Sequence, residues 1–463
     1  MTKRTIGEPA RNIDVFGEFD VVVLGGGPAG IAAAAAAGKA GRSTLLVERY
    51  GHLGGSGTVA GLSNFCGLHA NVHGEMKQVV HGVADDILAR LAHMEALNKP
   101  HLSLGNKILA QVYDMSAYKI ASEEMLADAG VAILYHAFGV GAIMESPERI
   151  STLLVETKSG RRAIVGRVFV DASGDADLAA WSGAPFEKGA DTRTMAYPST
   201  KFMINGVDPV RAGKAWDLIP QLMDEAERNG QTFPRKSVIV RPARNPVEWR
   251  ANVTQVRNPD GTPVDGTDAD QLSYGETEGR RQSWHVFDFI RKHTPGFENS
   301  YISEIFALGI RETRRVVGLY TITERDVLGC ASFDDTIGVS GWPVEQHIAG
   351  DVRIAFPPIP ESRGFHHLPY RMLVSPAVDN LLVAGRCASM SHDGQSAARV
   401  SGPCFAMGQA VGTAADIALT GGIAVRDVDV SRLQQRLEAD GAYLGRTNDY
   451  IADFTPTERL TVV

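Results

Sequence analysis

The chain has 463 residues, of which 46 are Lys or Arg and 54 Asp or Glu, for a formal net charge of −8. Apolar residues make up 44% and charged residues 22%, which suits a globular protein of two or three domains, and the 49 glycines cluster with apolar residues instead of forming repeats, which excludes collagen-like and low-complexity classes. No Lys/Arg stripe is present, which argues against a nucleic-acid partner, and the longest uncharged runs, Val21–Ala37 and Val400–Ala415, are short and broken by Gly and Pro, so no membrane span is expected.

Residues 1–18 read as a polar lead-in. Asp20–Leu24 predicts a strand, the glycines after it a turn, and the Ala-rich stretch Ile31–Lys39 a helix. Ser43–Val47 predicts a second strand. Val80, Val83, Ile87 and Leu91 recur at helical spacing, as do Tyr118, Ser122, Met125 and Ala129, with Gly130 placed to stop that helix. A strand is expected at Val131–His136, then a hairpin of Ser151–Thr157 and Arg161–Val170 joined around Ser159-Gly160. From about residue 190 the character changes. Trp216, Ile219, Met223 and Ala226 form a helical stripe that Pro220 should kink or restart. Asn258-Pro-Asp-Gly261 is a turn signal, Asp265–Glu278 reads as an exposed loop, and Trp284, Phe287 and Ile290–Arg291 suggest a helix. Near residue 370 the first style returns with a strand at Asn380–Ala384, a Gly/Ser-rich loop and a helix at Phe405–Leu419. A last amphipathic helix is expected around Leu433, Leu437 and Leu444.

The strongest motif is Gly25-Gly26-Gly27-Pro28-Ala29-Gly30, a G-x-G-x-x-G between a predicted strand and a predicted helix. Gly25 allows the tight turn, Gly27 lets backbone approach a pyrophosphate, and Gly30 lets helix and strand pack closely. The N–H groups at the helix start favour phosphate. Glu48 ends the next strand, where a carboxylate accepts hydrogen bonds from ribose hydroxyls. The fingerprint alone leaves FAD and NAD open. No second copy occurs, so one dinucleotide is expected to bind in this way.

Five stretches in order, Asp20–Gly30, Leu46–Gly55, Val168–Asp177, Gly309–Tyr320 and Pro369–Gly412, make the chain resemble FAD-dependent oxidoreductases with a glutathione-reductase-type Rossmann domain, especially the bacterial group related to fumarate reductase flavoproteins. The resemblance implies an α/β fold: a three-layer Rossmann-type FAD-binding domain from residues 1–190 and 370–422, an inserted mixed α/β substrate domain at 191–369, and a helical tail at 423–463. It implies non-covalent FAD held by Gly25, Gly27, Pro28, Ala29, Gly30, Glu48 and Arg49. Leu53-Gly54-Gly55-Ser56 would lie against the phosphates and Ala137-Phe138-Gly139 against the adenine. Asp171, Gly174 and Asp175 would form the second FAD motif, and Gly385 and Arg386 the third. The helix start at Gly402, Pro403 and Phe405 would face the pyrimidine edge of the flavin, where a helix N-terminus stabilises negative charge. Aromatic hydroxylases carry Gly-Asp where this chain has Gly385-Arg386, and the redox cysteine pair of disulfide reductases is missing.

Flavin chemistry calls for an acid or base near neutral pKa, or an Arg for an anionic substrate. His392, in the predicted loop after the third motif, is the first candidate, and Arg399 in the same loop could clamp a carboxylate. His367, beside His366, and Tyr197 complete the candidate catalytic set; a solvated His pair is the simpler expectation for 366–367. His69 and His73 stand at i, i+4 without a third ligand, so no metal is expected. Cys66 reads as a buried thiol or a residue over the flavin. Arg311, Arg314 and Arg315 would bind an anion or pair with Glu304, Glu312 and Glu324, and Phe202, Trp249 and Trp342 read as core.

The expected function is FAD-dependent dehydrogenation or reduction of a small organic substrate by hydride transfer. The alternatives are a flavin monooxygenase using NAD(P)H and dioxygen, and a non-catalytic or RNA-modifying flavin protein. The expected partners are the small-molecule substrate and an unidentified electron donor or acceptor, with a homo-oligomer left open and neither nucleic acid nor membrane. Four scattered cysteines without a C-x-x-C pair, and no apolar signal core after Lys3 and Arg4, suggest a cytoplasmic setting.

Overall fold

A computed structural model of the chain describes residues 4–190 and 194–446. Strand β1 (Asp14–Leu24) leads through the glycine turn into helix α1 (Pro28–Lys39) and strand β2 (Thr44–Val47). Helices α2 (Val83–His93) and α3 (Met115–Asp128) follow. Strands β3 (Ala132–Leu134), β4 (Phe138–Ser146), β5 (Arg149–Thr157) and β6 (Gly160–Asp171) complete this part. Next come β7 (Phe202–Asn205), α4 (Ala215–Arg228), β8 (Ile239–Pro242), β9 (Trp249–Asn252), α5 (Ala269–His293) and β10 (Tyr301–Ile305). The chain closes with β11 (Leu381–Val383), α6 (His392–Ala398), α7 (Ser401–Gly421) and α8 (Val430–Ala439).

The fold is mixed α/β. Among the described residues one seven-stranded sheet has the order β3-β2-β1-β6-β5-β4, with β11 pairing β6. The strands β3, β2, β1, β6 and β11 are parallel neighbours, while β4, β5 and β6 form an antiparallel meander. Val21–Val23, Leu45–Val47 and Phe169–Val170 are buried on both faces, as parallel strands between helical layers require. Helices α1 and α7 cover one face and touch through small residues. A Cβ at Gly408 would stand 2.2 Å from the Ala29 carbonyl oxygen, and one at Gly412 would stand 2.3 Å from that of Ala33. A second sheet, β8-β9-β7-β10, packs Phe202, Ile204, Trp249 and Ala251 against α4 and α5.

Several sequence expectations change. The lead-in ends sooner: β1 begins at Asp14, which pairs with Arg162 on β6. Strand β4 escaped notice because its residues alternate only weakly between exposed and half-buried. Helix α4 runs through Pro220, which sits in its second turn. The loop expected at Asp265–Glu278 is the first half of the 25-residue helix α5. Asp268 caps it by accepting the Gln271 N–H, and its glycines mark close contacts, since a Cβ at Gly279 would fall 2.0 Å from Thr200 Oγ1. His392 and Arg399 lie at the two ends of α6 instead of in a loop, with Ser391 Oγ accepting the Gly394 N–H to start the helix.

Candidate active site

Gly25 ends β1 with φ 104°, and a Cβ there would meet the Ala172 carbonyl oxygen at 2.4 Å, so only glycine lets β1 turn beside β6. Helix α1 then starts at Pro28 with no side-chain cap and no acid in its first turn. Opposite it, Gly54 and Gly55 both take positive φ, and the Gly54 N–H donates to the Gly26 carbonyl. The position of a Gly27 Cβ has one neighbour, Gly55 Cα at 3.8 Å, which leaves a cleft between the helix start and the Gly54–Gly55 turn that a side chain would fill. Exposed Ser56 borders this turn.

At the end of β2, Glu48 is 6% exposed. Its Oε2 accepts the Gly26 N–H at 2.6 Å and its Oε1 the Tyr50 N–H at 2.9 Å. Each oxygen keeps a lone pair for a hydroxyl. Arg49, half exposed, lies 3.7 Å from Asp175. Asp175 also accepts from Arg386 at 2.8 Å and from Thr313 Oγ1 at 2.9 Å. Gly385 brings this returning segment against α1, its Cβ position 3.1 Å from Ala29 Cβ. A buried carboxylate ringed by two arginines, an uncapped helix start and a Glu with spare lone pairs fit a dinucleotide.

Five expected cofactor residues stand elsewhere or are engaged within the chain. Asp171 spends its carboxylate on Ser173 and the Ala179 N–H, holding the turn after β6. Phe138 is 56% exposed on β4, while Phe405 is core, edge-on to Phe65. At the start of α7 the Gly402 N–H donates to Cys66 O at 2.8 Å, so Gly402 and Pro403 meet the Cys66–Gly67 loop.

Beside the third motif lies a pocket of about 240 Å³ whose lining includes Tyr197, Glu345, His347, His392, Gln395 and Arg399. Gln395 joins it to the motif by donating to Arg386 O at 2.8 Å. His392 Nδ1 is 2.8 Å from Glu312 Oε2, so a carboxylate acceptor places the proton on Nδ1 and leaves Nε2 for other partners. Burial disfavours the imidazolium, but the Glu312 hydrogen bond and charge outweigh it and raise the His392 pKa. Glu312 also accepts the Ala196 N–H at 2.7 Å and pairs with Arg315, itself buried and bonded to Met390 O and Gly189 O. The imidazole is therefore held by a carboxylate that is itself fixed.

Glu345 accepts from Trp342 Nε1 at 3.0 Å and lies 3.4 Å from His347 Nε2. Burial works against its charge, yet His347, Arg399 and Trp342 hold it well below the usual carboxylate range. Burial, with Arg311 adding to it, keeps His347 neutral.

His392, Arg399 and Tyr197 thus meet at one pocket, although the Tyr197 hydroxyl turns away to Gly261 O. His367 does not join them. Its ring nitrogens engage Phe333 and Gly445, and both it and His366 are buried, not solvated. Cys66 is buried and its thiol pushed up to about 12. Arg315 pairs with Glu312 and Arg314 with Asp177, whereas Arg311 donates to Tyr197 O and Ser199 Oγ. Sequence reading missed Glu345, His347 and Gln395, and saw Glu312 only as an arginine partner.

The parallel sheet, glycine turn and spare Glu48 lone pairs define a dinucleotide-binding α/β enzyme. The chain belongs to the FAD dependent oxidoreductase family, whose profile matches residues 20–437. It is an FAD-dependent oxidoreductase and FAD is its cofactor. Solved structures similar to it include a geranylgeranyl bacteriochlorophyll reductase-like protein from Thermoplasma acidophilum, at 12% identity over 92% of this chain and 83% of that one, TM-score 0.46. The p-nitrophenol 4-monooxygenase PnpA from Pseudomonas putida DLL-E4 is another, at 12% identity over 93% and 90%, TM-score 0.46. A third is the flavin-dependent brominase Bmp2, at 14% identity over 91% and 84%, TM-score 0.44. No curated protein matches the sequence. Among the described residues no helix is long and apolar enough to cross a membrane.

Proposed function

We propose that the protein oxidises or reduces a small organic molecule in the pocket beside Gly385–Arg386, with His392 as the proton-transfer group. Bound FAD supplies the hydride acceptor or donor. The observation that carries this reading is the His392–Glu312 pair at 2.8 Å on the wall of that pocket. Glu312 fixes the ring and favours its protonated form, so His392 gives a proton to a substrate being reduced or takes one from a substrate being oxidised. Arg399, Glu345 and Tyr197 also line this pocket.

In this reading the dinucleotide contacts are Gly25, Gly27–Gly30, Glu48, Arg49, Gly54–Ser56, Gly174, Asp175, Gly385 and Arg386. Residues 4–190 and 370–422 form one glutathione-reductase-type unit, 194–369 the inserted substrate domain and 423–446 the start of the tail; 1–3, 191–193 and 447–463 of these expected units lie outside the described residues. The pairing of β11 with β6 and the separate sheet β8-β9-β7-β10 support this division. The test is anaerobic mixing of the FAD-loaded protein with alcohols, amines and saturated or unsaturated acids. A substrate of a dehydrogenase bleaches the flavin without NAD(P)H, and His392→Gln slows the bleaching at unchanged flavin content. Substrate-dependent NAD(P)H consumption with oxygen insertion, and no direct bleaching, contradicts the proposal.

A further inference from the structure

Four cations gather beside the sheet β8-β9-β7-β10, whose Phe202, Ile204, Trp249 and Ala251 face its core. Arg250, between Trp249 and Ala251 on β9, reaches over to the Leu62–Cys66 loop, donating to Asn64 Oδ1 at 2.6 Å and to Leu62 O at 3.3 Å. Lys201 directly precedes Phe202 of β7. Arg235 donates to Ser237 O and Asn252 O, and Arg311 to Tyr197 O and Ser199 Oγ. Every acceptor in these bonds is neutral. Among the described residues none of the four cations is in a salt bridge, and the buried Nε atoms of Arg250 and Arg399 have no hydrogen-bond partner.

Charge facing this group is scarce. Cys66 is held as a neutral thiol; among the described residues Glu345 acts on Arg235, Arg311 and Arg399 together, and Asp351 acts on Arg235. Burial lowers the pKa of all four cations, that of Arg235 to about 10. It pushes Lys201 down to about 7, helped by Arg311, Arg250 and Arg235. Uncompensated buried charge is costly unless a counter-ion arrives. The dinucleotide phosphates do not meet this need, because the Gly25–Gly30 and Gly54–Gly55 cleft contains none of the four. Arg311 ties the cationic group to the pocket, since it holds the Tyr197 carbonyl and acts on His347.

We propose that the cationic group of Lys201, Arg235, Arg250 and Arg311 beside this sheet receives the acidic group of the substrate, a small organic carboxylate or phosphate monoester. This rests on the pocket being the substrate site. Arg250 Nε is a buried donor without a partner that an oxyanion can meet, and Lys201 supplies a point charge.

The test uses the FAD-loaded protein and the flavin absorption spectrum, which responds to binding without turnover. The probes are benzoate, succinate and glycerol 3-phosphate, with benzamide and succinamide as neutral counterparts. At least one of the three acids should perturb the spectrum saturably, with its amide at least about tenfold weaker where one exists; carboxylate and phosphate arms tell the two sources apart. Because the protonated amine is the binding form, the dissociation constant should rise about tenfold per pH unit above about 7. Lys201→Met should weaken binding at least about tenfold and flatten this pH dependence, while Lys201→Arg should keep the binding and lose the pH dependence. Arg250→Gln gives a second reading of the same loss should Lys201→Met fail to fold. Amides binding as tightly as acids, or both variants binding like the parent, overturns the proposal. A protein that holds no flavin contradicts the site reading beneath it and takes the proposal with it.

Discussion

Replacing Glu48 by Gln alters one oxygen of a carboxylate that accepts two backbone N–H groups, from Gly26 at 2.6 Å and Tyr50 at 2.9 Å. One of those donors, or a ribose hydroxyl, then faces an amide NH2. A hydrogen bond to a charged group is worth about 1.5–3 kcal/mol, so losing one toward the ribose weakens FAD about 10- to 150-fold at 1.4 kcal/mol per decade. A backbone N–H left without its acceptor costs the fold a further ~1–3 kcal/mol. The assay is titration of flavin-stripped protein, parent and Glu48→Gln, with FAD and with FMN, following flavin fluorescence. The loss should appear with FAD and vanish with FMN, which lacks the adenosine ribose. Equal FAD affinity in the two proteins, or an equal loss for FMN, refutes the assignment of Glu48 to that ribose.

Glu312→Gln removes the charge that raises the His392 pKa, so the limb of the pH–rate profile belonging to His392 should move to lower pH, as stopped-flow flavin bleaching across pH would show. An unmoved limb detaches His392 from that ionisation. Gly408→Val places a side chain where even a Cβ stands 2.2 Å from the Ala29 carbonyl oxygen, and overpacking of ~1–3 kcal/mol should lower the thermal midpoint and loosen FAD together, read by calorimetry and flavin release. Gly279→Ala drives a methyl into Thr200 Oγ1 and should destabilise by a similar ~1–3 kcal/mol. Adding Thr200→Ala should recover part of that stability in urea unfolding, because Thr200 Oγ1 has no hydrogen-bond partner to lose.

The parts of the fold written in contiguous sequence were the most legible. The strand–glycine–helix unit at 20–39, the hairpin around Gly160 and the helix stopped at Gly130 each depend on neighbours a few residues apart, and each appears with small changes of boundary. Helix α5 was misread because its outer face is polar and its glycines, Gly275 and Gly279, resemble loop punctuation. They are there because Leu308, Val264 and Thr200 press on the helix, a tertiary reason that no local window contains. The same gap hides the site. His392 and Glu312 are 80 residues apart, and the cationic group draws on positions 201, 235, 250 and 311 from separate strands and loops. His366 and His367 misled in the opposite sense, since polar residues that look solvated in sequence are buried where backbone partners meet them.

The most direct test is flavin content after acid precipitation, measured on parent protein and on Gly27→Val, whose side chain would occupy the cleft between the start of α1 and Gly55. The parent should release about one FAD per chain into the supernatant, and the variant, folded by circular dichroism, should release almost none. Equal flavin in both, or flavin that stays with the pellet, would contradict non-covalent FAD in that cleft.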